Sequence, residues 1–182
     1  LLAALRKQNS QTTLFAVGDD WQAIYRFSGA QLSLTTAFQQ NFGEGDSCNL
    51  DTTYRFNSRI GEVANQFIQQ NPHQLTKPLN SLTTGDKKAV TLLDESQLDL
   101  LLDKLSGFVK AEERILVLAR YHHLKPEALE KAATRWPKLQ LEFMTIHASK
   151  GQQADYVIVV GLKEGSDGFP APARESVMEQ AL

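Results

Sequence analysis

The chain has 182 residues, 42% hydrophobic and 22% charged, a balance that supports a packed core and excludes wholesale disorder. Nineteen basic residues against 21 acidic ones give a formal net charge of -2, so no global basic field recruits nucleic acid, and any such binding needs a local groove. The single cysteine, Cys48, excludes an internal disulfide and a cysteine-rich zinc site and fits a reducing compartment, and no apolar run nears the roughly 20 residues that span a bilayer.

Residues 1–8 predict a short helix with Leu1, Leu2 and Leu5 on one side. Asn9-Ser10-Gln11 breaks it. Thr13-Leu14-Phe15-Ala16-Val17 then predicts a buried strand ending at Gly18, with Asp19-Asp20 at its carboxyl end. A helix is expected from Leu32 to Gln40, and Gly43-Glu44-Gly45-Asp46 marks a hinge between two lobes. Cys48-Asn49-Leu50 reads as a weak strand. Asn57 or Ser58 caps a helix to about Gln70, closed by Asn71-Pro72, and residues 73–88 read as a polar loop. Ala89–Leu93 predicts a strand, Ser96–Lys110 an amphipathic helix and Arg114–Ala119 a strong strand. Pro126 opens a helix running to Arg135, and strands follow at Leu141–Ile146 and Asp155–Val160. Continuous apolar strands separated by helices define an α/β fold, a parallel sheet with helices on both faces. Such sheets bind ligands beyond the carboxyl ends of their strands.

Three segments carry more chemistry than a scaffold needs. Val17 to Ala30 packs two carboxylates, an amide, a guanidinium and three aromatics just past a strand; taken singly, its aromatics equally suit a plug for the core. In Thr53-Tyr54-Arg55-Phe56-Asn57, Arg55 precedes a capped helix and Tyr54 offers a ring. Arginine grips phosphate in a bidentate fashion and keeps its charge, although a surface pair with Asp51 fits the composition as well. Met144 to Asp155 sets Thr145 and His147 on one face, and then makes a small polar turn of Ser149, Lys150 and Gly151. That turn can offer amides and an ammonium to a phosphate, or be a plain crossover with a satisfied histidine. No Gly-x-x-x-x-Gly-Lys-Ser/Thr loop occurs. The acidic pairs Asp19-Asp20 and Asp94-Glu95 therefore read as decoys for a metal-binding strand end. The adjacent His122 and His123 point apart, and no metal site is expected within the chain.

In this order and spacing, the three segments resemble the superfamily-one DNA helicases of the Rep/PcrA kind. Gly18 to Ala30 (GDDWQAIYRFSGA) resembles the third motif of that family, Tyr54-Arg55-Phe56-Asn57 the fourth, and Thr145 to Gly151 (TIHASKG) the fifth. The resemblance implies two RecA-like lobes that close on ATP with Mg, and a path for single-stranded DNA across them. By that likeness Gln22 senses the γ-phosphate and its attacking water, and Arg55 reaches the γ-phosphate from the second lobe. Tyr54 stacks on adenine, Gly151 gives a backbone contact to phosphate, and Gln153 stands where the family has a glutamate near the ribose. Phe27 takes the place of a tryptophan that stacks on a base. Ser28 stands where arginine is usual, with Arg26 two residues earlier. Tyr25, Arg26, Phe27, Thr145, His147 and Lys150 are the implied nucleic-acid contacts.

The likeness also implies that residues 1–42 are the tail of the first lobe and residues 43–182 most of the second. The phosphate loop and the Mg-binding Asp-Glu would then lie before Leu1, and the last arginine motif beyond Leu182. This piece alone is expected not to hydrolyse ATP. A strand at Thr13–Val17 without sheet neighbours would fray, or be adopted by another sheet or by a second copy in a strand-swapped oligomer. No membrane partner and a cytoplasmic location are expected, with movement 3′ to 5′ along DNA. Two other classes remain: a non-catalytic nucleic-acid or protein interaction module, and a small-molecule α/β enzyme, for which no nucleophile or cofactor fingerprint is present. Steep loss of single-stranded DNA binding with rising salt separates a real backbone groove from the first of these.

Overall fold

The computed structural model describes residues 2–9, 11–25, 29–77 and 79–167. The chain divides between Val90 and Thr91 into two compact units.

The first unit opens with helix α1 (Leu2–Gln8), whose Arg6 guanidinium donates to the Phe42 carbonyl. Thr13–Val17 is not the buried strand that its apolar run predicts: it pairs with no other segment, and Phe15 is 88% and Val17 80% exposed. A strand needs a neighbour for its N–H and C=O groups, and no described strand lies beside this one. The helix expected at Leu32–Gln40 is instead two short ones, α2 (Ser33–Thr36) and α3 (Phe38–Phe42), interrupted at Ala37, with Phe38 and Phe42 in ring contact at 4.9 Å.

The weak strand expected at 48–50 falls a few residues later as β1 (Thr52–Thr53); Leu50 is exposed, as is the free Cys48. Strand β1 pairs in parallel with β2 (Asn80–Ser81), which lies inside the stretch read from sequence as a polar loop. Between them runs α4 (Ser58–Ile68), two residues shorter than expected. Asn57 caps it as predicted, accepting from the Arg59 and Ile60 amides at 3.1 and 3.2 Å, which satisfies two otherwise orphaned donors. Gly61 is buried where α4 meets Phe56: a Cβ there would lie 3.2 Å from the Phe56 ring and 3.4 Å from Ser81 Oγ. The run Ala89–Leu93 forms no strand either, and Leu92 is 84% exposed.

The second unit holds a three-stranded parallel sheet. A short 3-10 turn, Glu95–Gln97, is closed by a capping box in which Asp94 and Gln97 serve each other's backbone, and leads into α5 (Leu98–Ser106). The predicted strand Arg114–Ala119 is β3, residue for residue. Residues Glu127–Lys131 are 3-10 helix rather than α-helix, and only Ala132–Arg135 (α6) completes an α turn. β4 (Gln140–Thr145) and β5 (Tyr156–Val159) flank β3, giving the order β4-β3-β5. The register sets Val117 beside Phe143 on one side and Ile158 on the other.

The alternation of β3 sends Ile115, Val117 and Ala119 to one face, where they pack with Leu98, Leu102, Leu105, Trp136 and Val160. Fully burying Leu102, Ile115 or Val117 is worth about 1.5–3 kcal/mol each. Trp136 Nε1 donates to Asp103 Oδ1 at 2.7 Å, and the Arg135 guanidinium sits 4.6 Å over the Trp136 ring while pairing with Asp99 and Asp103. These contacts tie α5 to the end of α6 and the residue after it. Helices on both faces were expected; among the described residues both core clusters lie on one face, while on the other Leu116 and Leu118 of the central strand are buried and Val157 and Val159 of β5 are 53% and 39% exposed. The α/β character and the parallel pairing are as predicted. No helix among the described residues is long and apolar enough to cross a membrane.

Candidate functional site

In the first unit the chemistry gathers at residues 19–22. Asp19 caps a single 3-10 turn, Asp20–Gln22, accepting from the Trp21 amide at 3.1 Å. Its other oxygen accepts from the Gln22 side-chain amide at 2.7 Å. Lys77 Nζ lies 3.0 Å from Asp19 Oδ1, is ion-paired with Asp20, and stands 5.7 Å over the Trp21 ring. Asp20 is 1% exposed, the one charged side chain buried among the described residues. Its Oδ2 accepts from the Leu75 amide at 2.8 Å and, with the Gln74 amide nitrogen turned toward it, from Gln74 at 2.7 Å. Burial opposes the charge on Asp19, but the hydrogen bonds from Lys77 and Gln22 outweigh it and hold this carboxyl below its ordinary value. Lys77 is likewise penalised by burial, yet its bonds to Asp20 and Asp19 raise it above the usual lysine range.

Tyr54 and Arg55 follow the carboxyl end of β1 and are exposed, the tyrosine at 82%. The Arg55 amide donates to Thr53 Oγ1 at 3.3 Å, which fixes the backbone at the arginine and leaves its guanidinium directed by whatever it meets. Gln22 and Arg55 share no hydrogen bond. Tyr25 is 40% exposed, while Arg26, Phe27 and Ser28 lie outside the described residues.

The segment after Thr145, through Gly151, leaves β4 at the carboxyl edge of the larger sheet. The Ile146 amide donates to the Ala119 carbonyl at 2.9 Å, which pins the start of the turn to the end of the central strand. Thr145 Oγ1 accepts from the Ala148 amide at 3.2 Å, and Ser149 Oγ donates to the Ile146 carbonyl at 2.8 Å. His147 and Lys150 are exposed on this turn. Gly151 has φ +81°, a left-handed conformation that favours glycine, and its α-carbon faces open space. The chain then crosses to the start of β3, where the Arg114 guanidinium donates to the Gln153 carbonyl at 3.3 Å and Asp155 Oδ2 accepts from the Arg114 amide at 2.8 Å. Thr145 and Gln153, eight residues apart, thus stand at opposite edges of the sheet. Among the described residues no three His, Cys, Asp or Glu side chains converge on a metal position.

Sequence reasoning missed Lys77 and the anchoring of Asp20. No local signal marks either, because Lys77 lies 58 residues from Asp19 in a stretch of no recognisable motif.

Comparison with known proteins matches residues 1–43 to the UvrD/REP helicase N-terminal domain family. Over 182 residues, all of this chain, the sequence is 86% identical to DNA helicase IV of Escherichia coli strain K12, of which it spans 27%. It is 34% identical over 74 residues to the ATP-dependent DNA helicase PcrA of Bacillus subtilis strain 168, covering 41% of this chain and 10% of that protein. To PcrA of Staphylococcus epidermidis RP62A it is 28% identical over 116 residues, 59% of this chain and 16% of the relative. No solved structure matches. The first 43 residues thus match a helicase family, and along its whole length the chain is similar to DNA helicase IV, of which it spans about a quarter.

Proposed function

We propose that the longer protein carrying this chain is an ATP-dependent helicase moving 3′ to 5′ on single-stranded DNA, and that the chain supplies half of its nucleotide clamp. Residues 1–42 are the tail of a first RecA-like lobe and residues 43–182 most of a second. What carries the reading is the 86% identity, unbroken over all 182 residues, to a protein named DNA helicase IV. The end of the UvrD/REP family match at residue 43 supports the lobe boundary, which lies inside the first compact unit.

Arg55 and Tyr54 suit a nucleotide: an exposed guanidinium fixed at its backbone, next to an exposed ring, at a strand's carboxyl end. Tyr54 stacks on the base and Gln153 holds a ribose hydroxyl. The Gly151 backbone approaches phosphate from a site with no side chain in the way. Gln22 from the first lobe and Arg55 from the second gain the γ-phosphate together only when the lobes are closed. Hydrolysis removes that differential contact, and the lobes part. Mg, when bound, screens the phosphate charge; its ligands are not among the residues assigned here. Tyr25, Arg26, Phe27, Thr145, His147 and Lys150 grip single-stranded DNA, the ring of Phe27 by stacking worth about 1–3 kcal/mol per base.

In the full-length protein, Arg55→Ala lowers the kcat of DNA-stimulated ATP hydrolysis by about 10³-fold or more, as loss of an arginine finger does, while ATP binding changes little. Steady-state kinetics beside a nucleotide-binding titration read this. Equal small losses in both would make Arg55 merely structural.

A further inference from the structure

The Asp19 carboxylate is shared. One oxygen takes the Lys77 ammonium at 3.0 Å, the other the Gln22 amide at 2.7 Å. Lys77 is fixed in turn by Asp20, whose buried carboxylate is also held by the Leu75 amide and by Gln74. A side-chain amide is a poor sensor if it swings freely. Here its orientation is set by a carboxylate that cannot rotate without breaking a partly buried ion pair. Gln74, Leu75 and Lys77 come from the stretch after α4, more than 50 residues further along the chain.

We propose that Lys77 is a positioning residue for ATP hydrolysis: a lysine latch that orients Gln22 through Asp19 and ties the third-motif loop to the segment between α4 and β2. This rests on the reading of Gln22 as the γ-phosphate sensor and of residue 43 as the start of the second lobe. On that reading the latch joins the two lobes at the sensor itself. The distance from Lys77 to nucleotide plays no part; its effect travels through one carboxylate.

The test uses the full-length protein with Lys77→Met, Lys77→Arg, Asp19→Asn and Gln22→Ala. Lys77→Met should lower kcat for DNA-stimulated ATP hydrolysis by about 10–100-fold, the scale of a small misplacement of a reacting group. The KM for ATP and the affinity for single-stranded DNA should stay within about 2-fold, since the latch touches neither ligand. Lys77→Arg, which keeps the charge, should recover most of the loss. Unchanged kcat in folded Lys77→Met overturns the proposal, and so does an equal loss in kcat and DNA affinity. If Lys77→Met does not fold, Asp19→Asn decides, because the buried Asp20–Lys77 pair survives in it: a selective fall in kcat supports the latch, and no fall overturns it. Gln22→Ala separates the two levels. If it leaves kcat intact, the sensor reading fails; if it lowers kcat while both latch variants are silent, only the latch fails.

Discussion

At the scale of single residues, Asp20 carries a structural role that nothing in the sequence marks. Read from sequence, Asp19-Asp20 is a decoy for a metal-binding strand end. In the structure Asp20 is the buried anchor of the loop, and Asp19 is the exposed partner that holds Gln22. The reason is electrostatic: a carboxylate leaves water only where a cation and donors replace it, and Lys77 and the Leu75 amide do so. The linkage follows from the two shifts. Asp19 is lowered, so its contribution is present above the ordinary carboxylate value and is lost as pH falls through the folded one. Lys77 is raised, so its contribution is complete below the ordinary lysine value and is lost as pH rises through the folded one. Carbon-detected NMR should find the Asp19 carboxyl titrating below the reference of about 3.9, and Lys77→Met should return it toward that reference. An Asp19 that titrates normally in the native chain would remove the ion pair from solution.

Elements were legible where their bonds are local or their burial is complete. Asn57 announces the start of α4 because a cap needs only the next three residues. Its replacement by alanine should cost about 1 kcal/mol and speed exchange of the Arg59 and Ile60 amides, which lose their acceptor. Unaltered exchange at those two positions would deny the cap its role. Strand β3 was legible for a different reason: five consecutive buried residues, Ile115 to Ala119, demand partners on both edges and cover on both faces. Thr13–Val17 and Ala89–Leu93 show the limit of that argument. An apolar run states what a segment would bury, not that a neighbour is there to receive it, and both runs are exposed and unpaired. The 3-10 geometry of Glu127–Lys131 is invisible to periodicity, since 3.0 and 3.6 residues per turn differ little over so few residues, and no breaker residue marks the interruption at Ala37. Of the candidate site, the motif residues and their strand-end setting were readable, but the partner of Asp19 and Asp20 was not, because that contact is tertiary.

For the molecule as a whole, apolar burial is uneven. Every buried apolar side chain among the described residues belongs to the unit after Val90, whereas residues 2–90 bury Asp20 and Gly61. Hydrophobic burial is the main stabilising term in folding, so local stability should follow the same division. Hydrogen–deuterium exchange of this chain should leave Ile115 to Ala119 protected longest, with the amides of residues 13–18 exchanging at once. Comparable protection in both stretches would overturn the picture of one well-packed unit and one held by polar contacts. Cys48 also acquires a practical meaning from its place. It is the single thiol of the chain, exposed, and two residues beyond the Gly43–Asp46 stretch read as the hinge. On the proposed two-lobe reading, a dye attached there by maleimide chemistry would ride beside the pivot, and its emission would report lobe movement without a thiol being added to this segment.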